Sequence, residues 1–287
     1  MHISKYFTKK RALIALAIIT GLVLIIVVTE EALDIYAEKK ENKAFAALAP
    51  DFISLCLEDT NRSDHSFILG RLRQCVYDNS IHNVDEEFYA HWRAPTSDKL
   101  RRIMNFAKGD AMEPPHMECS TRTEVLEELY LFMGYDTKKY IVAKPANEFP
   151  DHVLVEVLNP DTTKKELHDP TFNVSYNHLG TGKRLSAIDV LQTPIFEIVA
   201  CSNSGECSRQ QMMNDIEPLF MKMQHYYGLF YHKPDTGNKD GILSINKSRF
   251  DPEQKFEVDG EMMTYCEKKA KNCQNPIEFY TEKTGES

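Results

Sequence analysis

The spacing of apolar residues predicts a membrane helix followed by a polar stalk at the start of the chain. Residues Ala12 to Val28 form an apolar run broken only by Thr20 and Gly21. At about 1.5 Å per residue this run is about 26 Å long, enough for a thin bilayer, and it has no polar face. Residues 30–49, charged and rich in alanine, predict a helical stalk that ends at Pro50 and Asp51.

Apolar positions with helical spacing dominate the next part of the chain, from residue 49 to about 108. Residues 84–92 and 97–107 each form such a segment, and Pro95 separates them. A further helix follows the loop 109–115. Its expected start is a capping box formed by Thr121 and Glu124, and Gly134 ends it. The apolar stripe of that helix consists of Val125, Leu126, Leu129, Phe132 and Met133.

Shorter, strand-like segments follow. Residues 140–143 and 152–157 are rich in β-branched residues, and a turn at 159–161 leads into a partner strand over 164–169. Another helix is expected near Ser208 to Tyr227. Helices that precede an antiparallel sheet predict an α+β fold.

Charge is distributed unevenly along the chain. The formal charge is −9, yet the first eleven residues hold four of the 34 basic residues and no acid, which leaves 30 basic and 43 acidic residues, or −13, beyond them. The positive-inside rule then places the N-terminus in the cytoplasm and the rest across the membrane. A cleaved signal peptide is the alternative, but residues 27–31 form a poor cleavage site. The acidic remainder repels phosphate backbones and argues against nucleic-acid binding.

Six of the seven cysteines fall into local pairs, and one is left over. The pairs are Cys56 with Cys75, Cys201 with Cys207, and Cys266 with Cys273; the single residue is Cys119. An oxidising compartment beyond the membrane makes disulfides plausible, although sequence alone permits fifteen connectivities and also permits buried thiols. No Cys-x2-Cys pair supports a structural zinc site.

Three segments carry residues for nucleophilic chemistry. Glu118-Cys119-Ser120-Thr121 opens a helix, His152 opens the strand H-V-L-V-E-V, and Asp169 ends the next strand in H-D-P-T. The partial positive charge of a helix N-terminus and a nearby imidazole favour a thiolate, and a carboxylate orients the imidazole. Adjacent antiparallel strands can bring His152 and Asp169 side by side, whereas His168 points to the opposite face.

These three segments resemble the transglutaminase-like superfamily, over about residues 103–174. Its members place a Cys at a helix N-terminus, a His at the start of an H-x-x-V-E-V strand and an Asp in a D-P-T turn. The resemblance implies a papain-like core and a catalytic triad of Cys119, His152 and Asp169, with no cofactor. The chain departs from the family pattern at Glu118 and Ser120, which flank the cysteine, and in residues 134–139, where a G-x-x-x-R pattern is common.

The sequence therefore predicts a cysteine-dependent acyl-transfer enzyme held outside the cytoplasm. The expected organisation is a cytoplasmic tail (1–11), a transmembrane signal-anchor helix (12–29), a stalk (30–49) and a transglutaminase-like domain with a C-terminal extension (50–287). Its partners would be a peptide, protein or cell-envelope amide and the membrane itself, not nucleic acid. The alternative is a membrane-tethered interaction module that keeps this fold without turnover.

Overall fold

A computed structural model describes residues 32–33, 35–58, 64–143, 152–203, 205–209, 228–232, 255–258 and 261–264. The chain divides into two compact units, Met1–Ala47 and Leu48–Ser287, and every described residue of the first is helical. Among the described residues, no helix has both the length and the apolarity needed to cross a membrane. The predicted anchor, Ala12 to Val28, lies outside these residues and stays a prediction.

Helices form the N-terminal part of the described chain. They are α1 (35–57), α2 (His65–Asp78), α3 (Glu86–His91), α4 (Thr96–Ala107), α5 (Cys119–Phe132) and, later in the chain, the short α6 (Ala187–Gln192). Pro95 is the N-cap residue of α4, and Gly134, with a φ of 85°, follows the end of α5. Both positions agree with the turn chemistry that the sequence predicts.

The expected end of the stalk at Pro50 and Asp51 is wrong, because α1 continues through both residues to 57. Proline inside a helix removes a hydrogen bond at a cost of about 3 kcal/mol. Ala49, Phe52 and Cys56 recur at spacings of three and four, and all are at most 1% exposed. Their burial offsets the penalty, since each large apolar side chain contributes about 1.5–3 kcal/mol.

A seven-stranded antiparallel sheet forms the other layer. Its strands are β3 (Thr137–Ala143), β4 (His152–Asn159), β5 (Lys164–Asp169), β6 (Val174–His178), β7 (Ile198–Cys201), β8 (Cys207–Ser208) and β9 (Gly228–His232), in the order β8-β7-β6-β5-β4-β3-β9. A parallel pair, β1 (Ile81–His82) and β2 (His116–Met117), and a hairpin, β10 (Lys255–Val258) and β11 (Glu261–Thr264), complete the strands of the described residues. The combination of helices and an antiparallel sheet is α+β, as the sequence predicts.

One face of the sheet packs against α6 through a cluster of buried apolar side chains. The cluster includes Leu154, Leu167, Tyr176 and Val190, each at most 1% exposed. Helix α5 adds a second apolar layer through Val125, Leu126 and Leu129, which are fully buried. The strand predicted over 164–169 has the observed limits, and the strand predicted from residue 152 extends two residues further, to Asn159.

Two of the three predicted cysteine pairs are disulfides. Cys56 is bonded to Cys75 and Cys201 to Cys207, over sequence separations of 19 and 6 residues. Cys119 is the free cysteine of the described residues. The third pair, Cys266 with Cys273, lies outside the described residues, as does most of the helix predicted near Ser208 to Tyr227, although Ser208 itself lies in β8.

Candidate active site

Cys119 is the first residue of α5 and follows directly after β2. The backbone N–H of Glu118 donates to Oγ1 of Thr121 at 3.0 Å, which caps the helix. The expected capping box of Thr121 with Glu124 is therefore wrong, because the N-cap residue is Glu118, three residues before Thr121. Glu124 accepts hydrogen bonds from α4 instead, at 2.7 Å from Nζ of Lys99. Cys119 thus lies at the N-terminus of a 14-residue helix, where the helix dipole favours a thiolate.

His152 is the first residue of β4, and its side chain faces Asp169. Val155 pairs with His168 across the two strands, so alternation places His152 and Asp169 together on the other face. Nε2 of His152 lies 2.7 Å from Oδ2 of Asp169. The ring of Phe172 packs against the imidazole, with 5.5 Å between the centroids. The ring orientation is thus held by a carboxylate on one side and an aromatic ring on another.

Asp169 has its carboxylate oxygens fully used. Oδ1 accepts from the backbone N–H groups of Thr171 and Phe172, at 2.8 and 3.2 Å. Oδ2 accepts from His152 and, at 2.8 Å, from the hydroxyl of Tyr176. The pKa of Asp169 is lowered: burial opposes this, but the charge and hydrogen bond of His152 and the other donors outweigh it. An ionised, fully buried carboxylate with four donors is a rigid orienting group.

This arrangement changes the pKa of the His152 imidazole. Burial on its own disfavours the imidazolium, yet Asp169 raises the pKa of His152 to about 10, with further contributions from a hydrogen bond and the charge of Cys119. Because Nε2 is hydrogen-bonded to Asp169, Nδ1 is the ring nitrogen that can interact with the thiol of Cys119. The structure therefore places all three predicted residues in one connected group, with the imidazole in the middle.

Glu156, in the H-V-L-V-E-V segment, has a structural role. Its carboxylate accepts from the hydroxyl of Tyr140 at 3.3 Å and from the backbone N–H of Ala187 at 2.8 Å. Ala187 is the first residue of α6, so Glu156 satisfies one of the free N–H groups of that helix. This part of the motif fixes α6 to the sheet.

Arg122 is a site residue that the sequence analysis missed. It lies one helical turn after Cys119, is 2% exposed, and donates to the carbonyl of Ser80 at 2.5 Å and to that of Thr171 at 3.2 Å. Burial lowers its pKa to about 10, and the negative charges of Asp169 and Cys119 are among the influences that oppose this. Arg122 is therefore a buried cation beside the triad. An arginine in an amphipathic helix is typical of a solvated face, so its spacing carries no signal of this role.

His168 belongs to a separate buried network on the opposite face of β5, as the sequence predicts. Its Nδ1 lies 3.3 Å from a guanidinium nitrogen of Arg73 and 3.0 Å from the hydroxyl of Tyr130. Its Nε2 lies 3.4 Å from Glu166, which also accepts from Arg184 at 2.9 Å. Burial and the charge of Arg73 lower the pKa of His168 to about 4, despite Glu166. His168 is therefore neutral near pH 7 and does not face the thiol.

Among the described residues, no group of His, Cys, Asp and Glu is arranged to hold a metal ion.

Comparison with known proteins gives only distant structural similarity. The chain matches no protein-family profile and no curated protein sequence. Among solved structures it is similar to a "putative protease" from Parabacteroides distasonis ATCC 8503, with 10% identity and a TM-score of 0.27. That similarity covers 58% of this chain and 30% of the other.

Proposed function

We propose that this protein is a cysteine-dependent acyl-transfer enzyme, with Cys119 as nucleophile, His152 as general acid and base, and Asp169 as the group that orients His152. The observation that carries the proposal is the position of His152, which interacts with a free thiol at a helix N-terminus and with a buried carboxylate 2.7 Å from Nε2. Nucleophile, base and orienting group in this order are the requirements of acyl transfer.

The reaction follows from these positions. The thiolate of Cys119 attacks an amide or ester carbonyl carbon, the new S–C bond forms, and the π electron pair moves to the oxygen. The oxygen then re-forms the carbonyl, and the C–N or C–O bond breaks as His152 gives its proton to the leaving group. Water or a second amine next attacks the thioester and gives a proton to His152, and the S–C bond breaks. With water the outcome is hydrolysis, and with an amine it is amide exchange.

The proposed location is outside the cytoplasm, on a single N-terminal membrane helix. The four basic residues before the apolar run and Glu30, Glu31 and Asp34 after it support this orientation. The two disulfides of the described residues support an oxidising compartment. Peptides, proteins or cell-envelope amides are the substrate classes that such a location offers.

A tethered interaction module without turnover is the second candidate. It is favoured by the burial of the thiol, since Cys119 is 7% and His152 3% exposed, so a substrate has little direct access to the sulfur. Reactivity toward a small electrophile separates the two functions. A catalytic thiolate is alkylated rapidly at pH 6 to 7, whereas an inert buried thiol is not.

The test of the proposal is turnover. Full-length protein and the variant Cys119→Ser, which differs by one atom in a buried position, are incubated with peptide libraries and with cell-envelope material, with and without a primary amine. Mass spectrometry of the products should show cleavage or amine incorporation with the wild type alone. Equal product from Cys119→Ser would show that the cysteine is not the nucleophile.

A further inference from the structure

His82 lies beside the segment that leads into Cys119. The short strands β1 and β2 pair in parallel, with His82 opposite Met117, and the backbone N–H of Asn83 donates to the carbonyl of Met117 at 3.1 Å. Met117 comes two residues before Cys119. The backbone of His82 is therefore fixed next to the start of α5, although 37 positions separate the two residues in the chain.

The charged groups that act on the His82 ring belong to the candidate site or to the start of α5. They are Arg122 and Glu118 at the start of α5, His152 on β4, and Asp169 at the end of β5. Partial removal from water, Arg122 and His152 together lower the pKa of His82, although Asp169 and Glu118 act in the opposite sense. The ring of His82 therefore lies within electrostatic range of groups on α5, β4 and β5, and Arg122 binds the carbonyl of Ser80, two residues before His82, at 2.5 Å.

The ring of His82 is also available to a ligand. Both residues of β1 are exposed, in contrast to the buried triad. Within the described part of the chain, the ring takes part in no hydrogen bond. An imidazole beside a buried catalytic group, open to solvent and with unused ring nitrogens, is positioned to meet a substrate rather than to stabilise the fold.

Acyl transfer needs donors for the oxygen that becomes negative, and the side chains of the triad are already used for other roles. As the first residue of α5, Cys119 has a backbone N–H without an intrahelical acceptor, which is one donor. We infer that the ring N–H of His82 is the second donor, and that together they bind the carbonyl oxygen of a substrate held on Cys119. This inference rests on the proposed function and identifies a further catalytic residue for it.

Arg122 fixes the relative positions of the segments around this arrangement. One guanidinium on α5 binds the carbonyl of Ser80, two residues before His82, and the carbonyl of Thr171, two residues after Asp169. The segment that carries His82 and the turn that follows Asp169 are thus tied to the helix that carries Cys119. Positioning within tenths of an ångström is what an oxyanion donor requires.

His82 acts without a change in its own protonation. When the sulfur bonds to the carbonyl carbon, the π pair moves to the oxygen, and the two N–H groups shorten their hydrogen bonds to it. When the carbonyl re-forms, the pair returns, and the leaving group departs with the proton of His152. The contribution of His82 therefore exists only in reactions that pass through an oxyanion.

Two reagents separate this role from an effect on the thiolate. Iodoacetamide alkylates a thiolate by displacement of iodide and forms no oxyanion, whereas p-nitrophenyl acetate acylates it through one. With the full-length chain in detergent, His82→Ala should slow acetylation of Cys119 by about 100-fold. Alkylation of Cys119 should change less than about twofold, because the thiolate is made by His152 and the helix dipole. His82→Gln, which retains an N–H donor, should recover much of the acetylation rate.

Ile81→Ala is the matched control, since Ile81 is the other exposed residue of β1 and carries no donor; it should leave both rates unchanged. If His82→Ala is acetylated as fast as wild type, the inference is overturned while the proposed function stands. If His82→Ala slows both reactions equally, it acts through the thiolate and the oxyanion role is wrong. If wild-type Cys119 is not acetylated at all, the proposed function fails, and this inference with it.

Discussion

At the residue scale, the candidate site depends on the hydrogen bonds that the two carboxylate oxygens of Asp169 accept. Asp169 is 0% exposed, and the charge of His152 and the four hydrogen bonds that the carboxylate accepts keep it ionised despite burial. The backbone bonds from Thr171 and Phe172 explain why the carboxylate stands in a D-P-T turn. The same oxygen that binds His152 also binds Tyr176, so the imidazole and the phenol fix one another through the carboxylate.

Asp169→Asn should reduce turnover more than it reduces thiol reactivity. The amide keeps the shape of the side chain but loses the charge that raises the pKa of His152, and the imidazole loses its orientation. Turnover should fall by about 10²–10⁴-fold, as when the carboxylate of other triads is neutralised, and alkylation of Cys119 by iodoacetamide at pH 6 should fall less. Tyr176→Phe removes one of the four hydrogen-bond donors to Asp169 and should reduce turnover, but less than Asp169→Asn does. Loss of turnover in Tyr176→Phe as great as in Asp169→Asn would contradict this order.

The sequence predicted that His152 and Asp169 lie side by side, as they do, because strand alternation and a turn motif are local features. It did not predict the positions of Arg122 and His82, because these depend on long-range packing. Arg122 is defined by carbonyls 42 and 49 residues away in the chain. His82 lies in a strand of two residues, too short to produce a periodic pattern.

At the element scale, α2 and β5 share a cluster of buried polar groups beside their apolar contacts. Arg73 and His168 are both 0% exposed, and Glu166 is 2% exposed. Burial and the charges of Arg73 and Arg184 hold His168 in its neutral form, although Glu166 acts in the opposite sense. Such networks are costly when one partner changes its protonation state, because the remaining charges stay buried.

Stability should therefore fall on acidification through His168. Its pKa is about 4 in the folded protein and about 6.5 in an unfolded chain. The unfolded state binds a proton in this window that the folded state does not, so stability is full above pH 6.5 and declines as pH falls toward 4. The contribution of this residue is at most about 3 kcal/mol. Urea unfolding of wild type and His168→Gln at several pH values measures it.

The variant His168→Gln should show a weaker decline in unfolding free energy between pH 6.5 and 4 than wild type. His178→Gln is the control, because His178 is partly exposed and pairs with Glu197 at 3.2 Å outside this network. If His168→Gln loses stability with falling pH as steeply as wild type does, His168 is not the residue responsible.

The disulfides are also element-scale features, since Cys56–Cys75 links α1 to α2 and Cys201–Cys207 links β7 to β8. Alkylation of the denatured, unreduced chain should add one label, at Cys119, because the six other cysteines are expected to be oxidised. Peptide mapping should then place the label. Labels on three or more cysteines, or none at Cys119, would contradict the expected pairing of Cys266 with Cys273 or the free thiol.

At the scale of the whole molecule, the sequence predicted the order of helices and sheet well. It misplaced the end of α1 because the local cost of Pro50 is outweighed by the burial of Phe52 and Cys56, which no local rule contains. The prediction of a membrane anchor depends on charge and hydropathy alone, because residues 12–28 lie outside the described part of the chain.

The topology has a direct test. A reporter that works only in the cytoplasm, fused after Ser287, should be silent, because the basic cluster before Ala12 favours a cytoplasmic N-terminus. Replacing Lys5, Lys9, Lys10 and Arg11 with glutamine should weaken that orientation and raise the reporter signal. An active reporter on the unaltered chain would exclude the proposed location.

The central claim, that His152 makes Cys119 a nucleophile, is tested most directly by the alkylation rate of Cys119 against pH. The measurement compares folded wild type, His152→Ala and the control His178→Ala between pH 5 and 8, with peptide mapping to read Cys119 alone. Wild type and His178→Ala should react rapidly with little pH dependence, because His152, with a pKa of about 10, stays an imidazolium throughout. His152→Ala should react slowly at pH 5 and rise about tenfold per pH unit, as an ordinary thiol of pKa about 8.5 does. A folded His152→Ala protein that reacts as fast as wild type across this range would contradict the account.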